Sequence, residues 1–116
     1  MIMEQCKVCG KNLDIKVHDI IKRNQCSVMS QAPINKICLC SKHSRYALDV
    51  RSKLYLQKKL FKLFSKKYYH KDEIEQLLRI DREDVDNLVR NLNWKKEGYE
   101  NIEIVKTCMG GIIYAK

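Results

Sequence analysis

Six cysteines and three histidines are the residues of this 116-residue chain best suited to hold a metal, and four of them form two close pairs. Cys6-Lys7-Val8-Cys9 is followed at once by Gly10, and Cys40-Ser41-Lys42-His43 stands about thirty residues later. Thiolates and imidazoles suit Zn²⁺, and two residues between the members of a pair let both reach one tetrahedral ion. Gly10 lets the chain turn tightly around it. The spacing predicts one structural Zn²⁺ on Cys6, Cys9, Cys40 and His43, with a knuckle supplying the first pair and the start of a helix the second. Cys38 is an alternative ligand in place of Cys40 or His43. A redox dithiol at Cys6 and Cys9 would need a strand-to-helix setting that this polar stretch does not offer. Cys26 and Cys108 have no partner at ligand spacing and read as small buried apolar residues.

The elements that must position these residues point to an α+β chain in three parts. Residues 1–43 form a zinc-binding, treble-clef-like finger, with a strand signalled by the alternation of Leu13, Ile15 and Val17. Residues 44–69 form one long basic amphipathic helix, because Leu48, Leu54, Leu60, Phe61 and Phe64 recur at helical spacings without glycine or proline. Residues 70–116 form a winged-helix-like region. Asp72 with Glu75 caps a first helix there, and Asp81 with Asp84 caps a second. The run Ile102, Ile104, Gly110-Gly111, Ile112, Ile113, Tyr114 then predicts a β-hairpin closed at the glycine pair.

The stretch from Cys6 to Ser44 resembles the zinc-containing HNH endonucleases. The matching residues are Cys6-Lys-Val-Cys9-Gly10, then Val17-His18-Asp19-Ile20, then Asn35, and finally Leu39-Cys40-Ser41-Lys42-His43-Ser44. The resemblance implies a treble-clef finger and a catalytic set at His18, Asp19 and Asn35 for metal-dependent cleavage of nucleic acid. The chain departs from the family where chemistry matters most. Asp19 stands where the family has the histidine that activates water, and Ser44 where it has the closing metal-binding histidine. A carboxylate with an ordinary pKa near ~3.9 is a poor base at neutral pH. The scaffold is therefore expected to outlast the reaction.

The charge locates a partner surface. The formal net charge is +9. The stretch from Val50 to Lys71 carries eight Lys or Arg and no acid, whereas Asp72 to Trp94 has three Arg against seven acids. Lys53, Lys58, Lys59, Lys62, Lys66 and Lys67, interleaved with Tyr55, Phe61 and Tyr68, suit phosphate contacts. Asn87, Arg90 and Asn91 on the second helix of the pair are able to read base edges. The acids beside them equally suit docking on a protein or self-association through residues 72–94. A basic amphipathic helix inserting Leu54, Phe61 and Phe64 into an anionic membrane surface is a further reading. Met1 to Gly10 has no export-signal pattern and no apolar run approaches a bilayer span, so a reducing intracellular compartment, cytoplasmic or nuclear, is expected. These features predict a non-enzymatic zinc-containing DNA-binding protein, regulatory in role, with an HNH-like nuclease and a protein-docking adaptor as alternatives.

Overall fold

The computed structural model describes residues 4–115. Strand β1 (Ile15–Asp19) pairs antiparallel with β2 (Lys36–Cys40), in a register that sets Ile15 against Cys40, Val17 against Cys38 and Asp19 against Lys36. The excursion between them winds through 3₁₀ segments at Ser27–Gln31 and Pro33–Asn35. It is closed by Asn35, which is fully buried. The Asn35 side chain accepts from the Ile21 N–H at 2.7 Å and donates to the carbonyls of Ile21 and Met29, each at 3.0 Å. One amide thus satisfies three backbone groups that burial would otherwise strand.

The single long helix expected over 44–69 is broken. A 3₁₀ segment, Ser41–Leu48, follows β2 and is kinked at His43. Helix α1 then runs from Val50 to Leu63. The break is at Asp49, whose extended backbone and carboxylate, accepting from the Arg51 N–H at 2.8 Å, form an N-cap. Leu48, counted among the core-facing residues by spacing, lies outside α1 and is exposed. Leu56, Leu60 and Phe64 are buried at intervals of four, and Phe64 meets Tyr69 edge to face at 5.1 Å.

Helix α2 (Lys71–Leu78) is capped two residues earlier than expected. His70 occupies the N-cap, and Glu73 rather than Glu75 reaches back to the His70 N–H at 2.9 Å. Helix α3 (Arg82–Val89) begins as its sequence predicts, with Asp81 accepting from the Asp84 N–H at 2.9 Å.

The C-terminal hairpin is absent. Residues 101–108 form helix α4 (Asn101–Cys108), with Ile104, Val105 and Cys108 buried along one face. The glycine pair ends that helix instead of turning a hairpin. Gly110 is left-handed (φ +80°), its N–H donates to Thr107 O, and the Gly111 N–H donates to Lys106 O. The second ribbon joins β3 (Tyr68–Tyr69) to β4 (Tyr99–Glu100) instead. All three sequence segments feed one apolar core that extends from Cys6 to Met109. The two ribbons and the four α-helices among the described residues make a small α+β fold.

Candidate metal centre and basic surface

The first ligand pair is set by a knuckle turn. The Gly10 N–H donates to Cys6 O at 2.8 Å and the Cys6 N–H to Lys11 O at 2.7 Å, with Gly10 at φ +78°. The Lys7 N–H donates to Cys38 O at 2.9 Å, which ties the knuckle to β2. Cys40 ends β2, and the kink at His43 swings its imidazole back toward Cys40.

These four residues converge. Cys9 Sγ lies 3.8 Å from Cys40 Sγ, while His43 Nδ1 lies 3.3 Å from Cys40 Sγ and 3.8 Å from Cys6 Sγ. All four ligand atoms fall within 4.8 Å of one another. A tetrahedral zinc with Zn–S near 2.3 Å and Zn–N near 2.0 Å spaces its sulfurs about 3.8 Å apart and a sulfur from a nitrogen about 3.5 Å. The donor set and its spacing therefore fit one closed four-coordinate ion such as zinc, with His43 presenting Nδ1. Cys38 lies outside this cluster, opposite Val17 in the ribbon.

The electrostatics point the same way. Burial raises the Cys6 thiol, but the backbone of Cys40, Cys9 and Val8 hydrogen-bonds to it and brings it down to about 6. At Cys9 the backbone of Lys11 pulls downward, yet burial and the neighbouring Cys6 and Cys40 sulfurs outweigh it and leave the thiol raised. Crowded thiolates cannot all ionise beside one another without a compensating cation, and a divalent metal supplies that compensation.

The nuclease-like residues are not assembled. His18 lines a cavity of about 480 Å³ with Asp14, Lys16 and Ser44. Asp19, next to it on β1, faces the other side of the ribbon. Its carboxylate is held 2.5 Å from Lys36 Nζ. Asn35 is consumed by the backbone groups of Ile21 and Met29. Neither Asp19 nor Asn35 lines the cavity of His18.

The basic residues divide sharply. Lys53 is a correction to the expected phosphate surface, because it is only 7% exposed. Its ammonium donates to Ile20 O and to Ala47 O, which fastens the end of β1 and the 3₁₀ segment to α1. Burial, then the charge of Lys22, lowers its pKa. Lys66 is bound to Glu73 at 2.7 Å, Lys71 to Asp86 at 2.8 Å and Arg51 to Asp49 at 3.1 Å. Lys58, Lys59, Lys62 and Lys67 are exposed and make no ion pair among the described residues. Spacing missed Lys7, whose ammonium lies 4.6 Å over the Tyr55 ring and so joins the knuckle to the face of α1. Its place between two ligands, where a knuckle turn points side chains outward, was the available signal.

Asn87, Arg90 and Asn91 are exposed, but only Asn87 lies on the second helix of the pair, because α3 ends at Val89 and Arg90 and Asn91 follow in the turn; Arg90 donates to Asn87 Oδ1 at 2.5 Å. The acids of α2 are paired, Asp72 and Glu75 with Arg82 and Glu73 with Lys66, and on α3 Asp86 is paired with Lys71, whereas Glu83 and Asp84 make no ion pair among the described residues. Among the described residues no helix is long and apolar enough to cross a membrane. Comparison with protein-family models, with curated proteins and with solved structures finds no match to this chain.

Proposed function

We propose that this chain is a zinc-stabilised nucleic-acid-binding protein, without catalytic activity of its own, that grips the phosphates of duplex DNA. Zn²⁺ on Cys6, Cys9, Cys40 and His43 organises a treble-clef-like finger of nuclease descent. The order α1, β3, α2, α3, β4 is that of a winged-helix core from its first helix to its second strand, with α4 in place of the wing. Asn87 in the last turn of α3, and Arg90 and Asn91 just past its end, then face the bases, in a regulatory role.

One observation carries this reading. Lys7, Lys58, Lys59, Lys62 and Lys67 have no carboxylate partner among the described residues, although ion pairs occupy many cations around them. Unpaired surface cations of one sign are what phosphate neutralisation needs.

The test is titration of a labelled mixed-sequence duplex with zinc-loaded protein. Reversal of Lys58, Lys59 and Lys62 to Glu is expected to weaken binding to every sequence. Unchanged affinity in that triple variant, with its fold intact, refutes the reading.

A further inference from the structure

Along the outer face of α1 runs an open cavity of about 590 Å³ that the duplex reading leaves unused. Its walls are apolar and aromatic, with Leu54, Tyr55 and Phe61 from α1 and Tyr114 from the C-terminal segment. Its rim is cationic, with Lys58, Lys62 and Arg51, the last already bound to Asp49 at 3.1 Å, and no carboxylate lines it.

The far wall is fixed in place. Gln57 Nε2 donates to Tyr114 O, and the Tyr114 N–H donates to Gln57 Oε1, both at 2.8 Å. The buried side-chain amide acts as a strand partner for the tail. Tyr114 is therefore held against α1 before any ligand arrives. Tyr55 already carries the ammonium groups of Lys7 and Lys59, at 4.6 and 5.2 Å from its ring centre, which leaves Phe61 and Tyr114 as the stacking faces.

We infer that this groove takes unpaired nucleotides of a nucleic-acid strand, bases against Phe61 and Tyr114 and phosphates on Lys58 and Lys62. The inference rests on the nucleic-acid reading above and goes beyond it. A duplex keeps its bases stacked inside and offers this surface only phosphates, so the aromatic walls would meet nothing. A single strand presents π-faces and phosphates together, and a groove of alternating aromatic and cationic side chains answers both. An acidic peptide matches the charge but not the aromatic walls.

The experiment compares a labelled oligo-dT strand with a labelled duplex of equal length, using the zinc-loaded full chain. Phe61→Leu with Tyr114→Leu keeps apolar bulk and removes both rings. It is expected to weaken strand binding by about 5- to 100-fold while duplex affinity stays within about twofold. Tyr114→Leu alone, whose backbone bonds to Gln57 persist, gives the same ordering at smaller size and serves if the double variant fails to fold. Unchanged strand affinity in a folded leucine variant overturns the groove, as does equal loss on strand and duplex. Lys58→Ala with Lys62→Ala is expected to weaken both probes. No effect of that pair on either probe overturns the underlying nucleic-acid reading as well, whereas a duplex loss beside an intact strand response in the leucine variants overturns the groove alone. Polyglutamate that binds as tightly as oligo-dT, equally in parent and leucine variants, assigns the groove to acidic peptides and overturns the inference.

Discussion

Replacing Lys58, Lys59 and Lys62 together by alanine removes three of the five cations assigned to phosphate contact, which, like Lys7 and Lys67, are exposed and have no ion-pair partner among the described residues. Alanine favours a helix at least as well as lysine, so α1 is expected to persist. Each phosphate neutralised on duplex DNA contributes about −0.9 to the slope of log affinity against log salt, so five contacts give a slope of about −4.5. Between about 50 and 200 mM salt the parent then loses about 500-fold in affinity, and the triple variant, with a slope of about −1.8, loses about 12-fold. Counting all eight bases of Val50 to Lys71 would give a slope of about −7 instead. Of those eight, Lys53 drops out because it is buried and Arg51, Lys66 and Lys71 because they are paired, and Lys7 from outside the stretch adds one. The assay is fluorescence anisotropy of a labelled duplex across a salt series, with circular dichroism to confirm the fold. A parent slope near −7, or a slope that the triple variant does not flatten, refutes the assignment of these five cations.

Cys9→Ser is expected to lose the single bound zinc and with it the ordered finger, read by elemental analysis and near-ultraviolet dichroism; retention of both by the variant would sink the metal assignment. Asn35→Ala strips partners from Ile21 N–H, Ile21 O and Met29 O in the core and is expected to cost about 3 kcal/mol or more in urea unfolding. A stability unchanged by that substitution would contradict the clamp. Burial lowers the folded pKa of Lys53 below its ordinary 10.5, so between those values the unfolded chain binds more protons and stability rises with pH. Urea midpoints measured from about pH 8 to 10.5 should show that rise in the parent and less of it in Lys53→Met. Plasmid DNA incubated with Mg²⁺, Mn²⁺ or Ni²⁺ is expected to stay intact; metal-dependent cleavage that disappears in His18→Ala would restore the nuclease alternative.

The ligand set was legible because metal geometry is local: pairs at CxxC and CxxH spacing converge once β1 and β2 bring their turns together. The Asp81 cap was legible for the same reason, being a side chain that meets an N–H three residues on. What escaped depended on packing. Ile102 and Ile104 alternate as a strand would, but Ile104, Val105 and Cys108 also share a helical face, and burial against α1 and α3 selects the helix. Two glycines in a row mark a hairpin turn and a helix end equally well, and only the identity of the preceding element separates the two. Asp49 held a cap signal that the apolar periodicity of Leu48 and Leu54 overrode. Lys53 counted as surface charge because sequence composition cannot tell a solvated ammonium from one consumed by backbone carbonyls.

The position of Lys7 has a thermodynamic consequence. It lies between two metal ligands, and its ammonium rests on Tyr55 of α1, so the turn that grips the ion also completes the cationic face of the helix. Losing the ion frees that turn and withdraws one charge from the face. On the proposed reading, metal and polyanion would then act as linked ligands of a single folding unit. By reciprocity, whatever factor zinc contributes to nucleic-acid affinity, nucleic acid returns to zinc affinity. A chain parked on a polyanion would accordingly hold its metal against chelators longer than a free one, and a cell's zinc supply would be read out as occupancy.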